Sequence, residues 1–318
     1  MQLIRQTSEI SRLPRGCALS IGNFDGVHQG HARIAGRLRS WSSQAGGPAV
    51  VLTFEPHPVR LLRPEQAPPP LTWTERKAEL LGALGVDYLI AWPTTRPLLQ
   101  MSCNEFFDEI IVSHIGASVV VEGPNFFFGK NREGDVEKLA RFCQSSGMAF
   151  EVVEPALDGG LPVSSTRIRE AVKQGDVDTA CRLLTQPYRI RGLVVHGDGR
   201  GAGLGFPTAN LSGIDTLIPA SGIYAGIARR PARDSADPRI AAIHVGPVPT
   251  FGVEQLQVEV HVVDFCESLY GEILEVDFLS KLRNVEKFDS VEVLKQQMQL
   301  DVAEARAVGS RWLESRSV

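Results

Sequence analysis

His28 and His31 lie three residues apart, with Gly30 between them, in the stretch "GNFDGVHQGH" from Gly22 to His31. The apolar run "CALSI" precedes it and "ARIAGRL" follows, so the pair sits where a strand hands over to a helix. Gly22 and Gly26 permit a sharp turn there, and Gly30 permits close approach to the helix. A helix beginning near Val27 would place both imidazoles on one face, with Cβ atoms about 5–6 Å apart. The unpaired amides of a helix start suit a phosphate chain, and Asn23, Phe24 and Asp25 belong to the same turn. Two imidazoles there can donate hydrogen bonds to a phosphate as its charge builds up. A polar surface turn is the plainer reading of an arbitrary H-x-x-H. Zinc suits the spacing less, because helical ligand pairs usually stand at i, i+4 with a third ligand nearby. Glycines on both sides of the pair, after a first strand, favour phosphate.

Three further groups could do chemistry. In "VSSTRIREA", Val163–Ala171, Ser165 or Thr166 can cap a helix whose first turn carries Arg167 and Arg169. Hydroxyls, free amides and a guanidinium make a phosphate clamp, or simply an ordinary capped helix. "GDGRGAGLGFPTAN", Gly197–Asn210, is glycine-rich and lacks the lysine and spacing of a P-loop. If "TAN" is extended, Thr208 and Asn210 face one site, and their oxygens suit Mg²⁺. A flexible loop followed by a strand is the alternative. In "QLQVEVHVVDF", alternation puts Gln257, Glu259 and His261 on one face. Glu259 is then either a general base facing a site or a solvated glutamate on a half-exposed strand.

The elements that must position these groups fall into two sets. From Cys17 to about Phe150 the apolar runs "CALSIG", "AVVLTF", "DYLIAW", "SVVVEG" and "FEVVE" alternate with helical patterns. That alternation predicts an α/β domain with a doubly wound parallel sheet, whose ligand site lies beyond the carboxyl ends of its strands. Ser102 with Glu105 reads as a capping box, and Gly116 and Gly147 as helix stops. After Ser164 two short helical stretches lead to strand-like runs without intervening helices, which predicts an all-β barrel or sandwich. Val291, Leu294, Met298, Val302 and Ala305 share one face of a closing C-terminal helix framed by Asp289 and Glu292. The domain boundary is expected near Gln186, giving domains 1–186 and 187–318. Arg63–Leu71 and Arg229–Arg239 read as surface excursions.

At 318 residues the chain can hold two cores. Its hydrophobic content of 43% is that of an ordinary globular protein. A formal charge of −4 is a poor footprint for a nucleic-acid binder, and aromatic residues make up only 7%. The five cysteines have no C-x-x-C pair, so neither a zinc site nor a disulfide framework is expected. The start lacks a signal-peptide core and no apolar run is long enough to span a membrane. A cytoplasmic protein is expected, with no nucleic-acid or membrane partner, as a monomer or weak homo-oligomer.

Together these motifs resemble the bacterial bifunctional riboflavin kinase/FMN adenylyltransferase family, the FAD synthetases. "GNFDGVHQGH" resembles the first-turn motif of the H-x-G-H nucleotidyltransferases, and "VSSTRIR" the later S/T-x-x-R motif. "TFEPHP" and "VEGPNFFFGKNREGD" are similar to family segments, as are "GFPTAN", "VEVH", "GIYA", "LYG" and "EKFDSVEVL" of the kinase module. The ordered match runs from about Gly16 to Asp301. It implies a nucleotidyltransferase-like α/β domain, then a six-stranded Greek-key barrel with a C-terminal helix. It implies that His28 and His31 serve adenylyl transfer and that Glu259 is the kinase base. Nucleotide and phosphates would be held by Gly22, Asn23, Phe24, Asp25, Gly30, Ser164, Ser165, Thr166, Arg169, Gly203, Gly205 and Pro207. Flavin would meet Phe54, Pro56, His57, Pro58, Asn125 and Phe128, and Thr208 and Asn210 would hold Mg²⁺ with ATP. Riboflavin, FMN and ATP are the implied partners, with FMN and FAD as substrate and product rather than prosthetic groups. The chain departs from the pattern at Asn125, where many relatives have Asp, at Phe127, where they have a basic residue nearby, and in "GPVPTF", a looser form of N-I-G-x-x-P-T-F. The rivals are a nucleotidyltransferase acting on another small phosphate, which would have no need of the barrel, and a flavin- or RNA-binding barrel without turnover.

Overall fold

A computed structural model of the chain describes residues 1–10, 13–197, 200–231, 234–247 and 256–316. The chain divides into two compact units, one of residues 1–68 and 73–164, the other of residues 69–72 and 165–318.

In the first unit, β1 (Gln2–Ile4), β2 (Cys17–Ile21), β3 (Ala49–Glu55), β4 (Tyr88–Pro93), β5 (Ala117–Glu122) and β6 (Ala149–Val152) form a sheet of order β1-β4-β3-β2-β5-β6. Every pairing is parallel, as the βα alternation predicts. Cys17 to Ile21 are all buried, because helices cover both faces. β1 joins the sheet at its edge next to β4 and was not apparent in the sequence, being only three residues long. The chain runs outward from β2 through β3 to β4, then returns to the other side of β2 with β5. The topological switch therefore lies between β2 and β5, and the turn after β2 opens there. The Ser102–Glu105 capping box is formed, but the helix it starts continues as a π-helix over Phe106–Ile115, ending at Gly116 with φ 67°. Its buried phenylalanines and isoleucines pack into one of the two apolar layers.

In the second unit, helices Ser165–Gln174 and Val177–Leu183 precede a closed six-stranded barrel. After the two-residue strands β7 (Leu157–Asp158) and β8 (Leu161–Pro162) of the first unit come the barrel strands. They are β9 (Tyr188–Val195), β10 (Ala209–Ser212), β11 (Gly222–Arg230), β12 (Asp234–Pro247), β13 (Leu256–Val262) and β14 (Ile273–Arg283). They close in the order β10-β13-β12-β11-β14-β9, antiparallel throughout. Closure leaves no edge exposed, which is how a small all-β unit avoids unpaired backbone. Division by packing thus falls at Ser164, ahead of the boundary near Gln186 expected from the change in composition. The excursion expected at Arg229–Arg239 is largely strand, with Arg230 paired to Asp234 across the β11–β12 connection. The C-terminal helix spans Val291–Glu314. Ser290, rather than Asp289, caps it by accepting from the Val293 N–H at 3.3 Å.

Candidate active sites

The histidine turn leaves the carboxyl end of β2 under backbone strain. Phe24, Gly26 and Val27 have φ of 46°, 84° and 44°. Positive φ is natural for glycine and costly for a β-branched residue. Complete burial of Val27 and near-complete burial of Phe24 hold the turn in this shape. The helix does not begin at Val27: His28 is its N-cap and the helix runs Gln29–Ala45. The two histidines form a reciprocal cap. His31 N–H donates to His28 Nδ1 at 3.3 Å, and His28 N–H donates to His31 Nδ1 at 3.2 Å. The rings stack with centroids 3.6 Å apart, closer than two residues on one helical face require, and Phe24 lies 4.7 Å from the His31 ring. With both Nδ1 atoms accepting, each neutral imidazole carries its proton on Nε2, leaving two N–H donors for a ligand. Burial lowers the His28 pKa to about 4, and burial with the nearby His28 and Lys77 lowers that of His31 well below 6.5. The pair is neutral at pH 7. Gly30 suits this packing, since a Cβ there would stand 3.0 Å from His28 Cε1 and press on the stacked ring.

Two charged residues that the sequence reading did not single out support the turn. Glu122 ends β5, where its pairing with β2 has stopped at Leu19–Val120. Its Oε1 accepts from the Ile21 N–H at 2.6 Å and from Ser20 Oγ at 3.4 Å. The carboxyl group thus bridges the gap where the strands part, and burial raises its pKa well above 4.5. Lys77, in helix Thr74–Ala83, donates to the Asn23 carbonyl at 2.6 Å and to Thr53 Oγ1 at 3.3 Å. Asp25 is buried in the same turn. A charged side chain on the apolar face of each element was the available signal: Lys77 shares its face with Trp73, Leu80 and Leu81, and Glu122 follows three valines.

The expected flavin residues are partly gathered. Phe54 is half-buried beside Phe106, with centroids 6.4 Å apart, and Phe128 is buried against Phe106 at 5.9 Å. His57 caps the short helix begun by Pro58, accepting from the Val59 N–H at 3.2 Å, and the Pro56 carbonyl accepts from Thr94 Oγ1. Asn125 is exposed, while Phe127 carries the Arg132 guanidinium 4.4 Å above its ring. Ser164 ends the first unit, and Ser165, Thr166 and Arg169 open a helix of the second. Within that unit Arg169 Nε donates to the Pro69 carbonyl at 2.9 Å.

In the barrel, one face of β13 contacts the segment Pro207–Asn210, which runs into β10. Gln257 donates to Asn210 Oδ1, Thr208 Oγ1 donates to Glu259 Oε2 at 3.1 Å, and His261 Nδ1 lies 2.8 Å from the Pro207 carbonyl. Asn210, Glu259 and His244 are register partners across β10, β13 and β12. His244 was not singled out from the sequence; its Nδ1 lies 3.9 Å from Glu259 Oε1, and burial lowers its pKa. Of these residues Thr208, Glu259, His261 and His244 border a cavity of about 470 Å³ that Phe206, Ile223, Leu294, Met298 and Val302 line with apolar surface. Its size and mostly apolar lining with a polar end suit a small molecule. Gly203 and Gly205 are exposed, the latter with φ 91°, whereas the Leu204 and Phe206 amides bond to the Gly201 carbonyl. The segment "GPVPTF" and residues 198 and 199 of the glycine loop lie wholly or partly outside the described residues.

A parallel α/β unit with paired imidazoles at its switch point, followed by a barrel with a carboxylate-bordered cavity, presents two candidate sites suited to phosphate chemistry. The FAD synthetase family matches residues 10–167 and the riboflavin kinase family residues 184–309. The chain is 38% identical to the bifunctional riboflavin kinase/FMN adenylyltransferase of Pseudomonas fluorescens, over 98% of each chain. It is 34% identical to that of Escherichia coli K12, covering 96% of this chain and 97% of the other. A solved structure from Streptococcus pneumoniae, titled a macrolide-efflux protein, has a TM-score of 0.85 and 29% identity, covering 96% and 99%. Among the described residues, no helix is long and apolar enough to cross a membrane. The chain belongs to the bifunctional riboflavin kinase/FMN adenylyltransferase family: it phosphorylates riboflavin to FMN and adenylylates FMN to FAD, releasing pyrophosphate.

Proposed function

We propose that the two reactions divide between the histidine turn and the barrel cavity. At the turn, an oxygen of the FMN phosphate attacks the α-phosphorus of ATP, and the bond to the β-phosphate oxygen breaks. His28 and His31 donate their Nε2–H groups to the α-phosphate as negative charge accumulates on it. The reciprocal Nδ1 cap, which leaves both Nε2–H groups available, is the observation that carries this assignment. No covalent enzyme intermediate is needed, since FMN already carries a nucleophilic oxygen; positioning and charge stabilisation suffice. Amides and side chains of Gly22 to Asp25 and Gly30 belong to the nucleotide set of this turn, and the family resemblance separately assigns Ser164, Ser165, Thr166 and Arg169 to nucleotide. Phe54, Pro56, His57, Pro58, Asn125 and Phe128 are assigned to flavin by the family resemblance, and the rings of Phe54 and Phe128 already belong to one aromatic cluster.

In the barrel, the 5′-hydroxyl oxygen of riboflavin attacks the γ-phosphorus of ATP, ADP leaves, and Glu259 takes the hydroxyl proton. Thr208 and Asn210 offer a hydroxyl and an amide oxygen beside that carboxylate, a donor set that suits Mg²⁺. Mg²⁺ held there would neutralise negative charge on the nucleotide's phosphates. Gly203, Gly205 and Pro207 shape the approach for the phosphates. The enzyme works on small molecules in the cytoplasm, as a monomer or weak homo-oligomer. Chromatography of the flavins formed by His28→Ala and Glu259→Gln tests the division. The first variant should make FMN and no FAD, and the second should still convert supplied FMN to FAD. Equal loss of both activities in either variant refutes separate sites.

A further inference from the structure

Lys77 is buried on the inner face of its helix, and its ammonium group is spent on neutral acceptors. The Asn23 carbonyl receives two donors, Lys77 Nζ at 2.6 Å and Thr53 Oγ1 at 3.2 Å. Lysine has three N–H donors, and among the described residues only these two acceptors are within bonding distance. No carboxylate in that set is close enough for an ion pair. Asp25 and Glu55 act on Lys77 only at longer range, raising its pKa against the larger lowering by burial. A buried cation without a paired anion costs several kcal/mol, so a fold that keeps one has a use for it.

The neighbouring imidazoles show what that use is. Both are neutral, so the histidine pair offers hydrogen bonds but no charge. Lys77 is close enough to His31 to lower the proton affinity of that ring. It also grips the carbonyl of the residue preceding the strained Phe24–Val27 segment. From these contacts we propose that Lys77 is a positioning residue for adenylyl transfer. It clamps the Asn23 carbonyl so that the turn stacks His28 on His31. The inference rests on the assignment of adenylyl transfer to the histidine turn.

The test uses the full-length chain with Lys77→Met, Lys77→Gln, Lys77→Arg and His28→Ala. FAD formation from supplied FMN and FMN formation from riboflavin are measured in parallel. Displacement of a reacting group by about 1 Å costs on the order of 100-fold. Lys77→Met and Lys77→Gln should therefore lose about 100-fold in kcat for FAD formation, with KM for ATP changed only a few-fold. Riboflavin phosphorylation should stay within twofold of wild type, and Lys77→Arg should recover at least about a tenfold part of the lost kcat. A role in folding alone would lower the unfolding temperature and the yield of active enzyme without that kcat-specific loss or its rescue. Lys77→Met with wild-type kcat overturns the proposal while His28→Ala remains inactive. If the methionine variant unfolds, a folded Lys77→Gln with wild-type kcat overturns it equally. Normal FAD formation by His28→Ala would instead refute the underlying assignment.

Discussion

The neutrality of His28 has a measurable consequence for stability. Its folded pKa is about 4 against 6.5 for an exposed imidazole, so between those values the unfolded chain binds a proton that the folded chain refuses. Stability contributed by this site is complete above pH 6.5 and is lost as pH falls toward 4. Integrating that difference gives about 3 kcal/mol lost by pH 4 from His28 alone. His28→Asn keeps an N-cap acceptor for the His31 N–H and removes the titration. Trp41, Trp73 and Trp92 all lie in the first unit, while Trp312 lies in the second, so tryptophan fluorescence during urea unfolding reports mainly on the unit of interest. At pH 7.5 the variant should be slightly less stable than wild type, through loss of the ring stack. By pH 4.5 the order should reverse, because the wild type carries the larger acid penalty. His31 adds to the effect, since its own proton affinity rises once His28 is gone. Parallel stability curves for the two proteins from pH 7.5 to 4.5 would refute the buried, neutral state of His28.

Other outcomes follow from the same structure. Glu259→Gln should reduce riboflavin phosphorylation by at least about 100-fold, general-base catalysis being worth 10²–10⁴-fold, while FMN is still converted to FAD. Normal phosphorylation by that variant, followed by chromatography, excludes Glu259 as the base. Glu122→Gln keeps an acceptor for the Ile21 N–H but cannot ionise. Because the folded pKa of Glu122 is raised, its contribution is present at low pH and is lost as pH rises. The variant should therefore melt above wild type at pH 8 and level with it near pH 4; a wild type that gains on the variant with rising pH contradicts this. Asp301 accepts from Arg283 at 2.7 and 2.8 Å and from Gln297 at 2.9 Å, tying the C-terminal helix to β14 beside the barrel cavity. Asp301→Ala should cost about 2–3 kcal/mol, below the range for a fully buried pair because Arg283 is partly exposed. It should also raise KM for riboflavin with little effect on FMN adenylylation, as steady-state assays of both reactions would show.

The parts of this protein readable in advance were those in which a short segment determines its own structure. The βα alternation implied parallel pairing, and the period-two pattern of "QLQVEVHVVDF" put Gln257, Glu259 and His261 on one face. All three contact the segment Pro207–Asn210, so a single strand's alternation placed three contacts of one candidate site. Glycines around the histidines marked a tight turn between strand and helix, but their spacing misplaced the helix start. Capping is decided by side-chain hydrogen bonds, and histidine is not among the usual N-caps. The helix ending at Ile115 was found while its π geometry over Phe106–Ile115 was not, since apolar spacing reports which face is buried and not which carbonyl each amide bonds.

Lys77, Glu122 and His244 were missed for a different reason: each acts on a residue far away in the sequence. Lys77 reaches the β2 turn from the helix before β4, Glu122 reaches β2 from across the switch point, and His244 meets Glu259 only through strand register. A charged residue on an apolar face signals that a partner exists, but only the order of strands says which one. That order also explains why supports of this kind gather at the histidine turn. Where β2 and β5 part, backbone groups lose their ladder partners, and side chains must satisfy them. Glu122 does this for Ile21 and Lys77 for Asn23, so the candidate crevice and the side chains that brace it arise from the same interruption of the sheet.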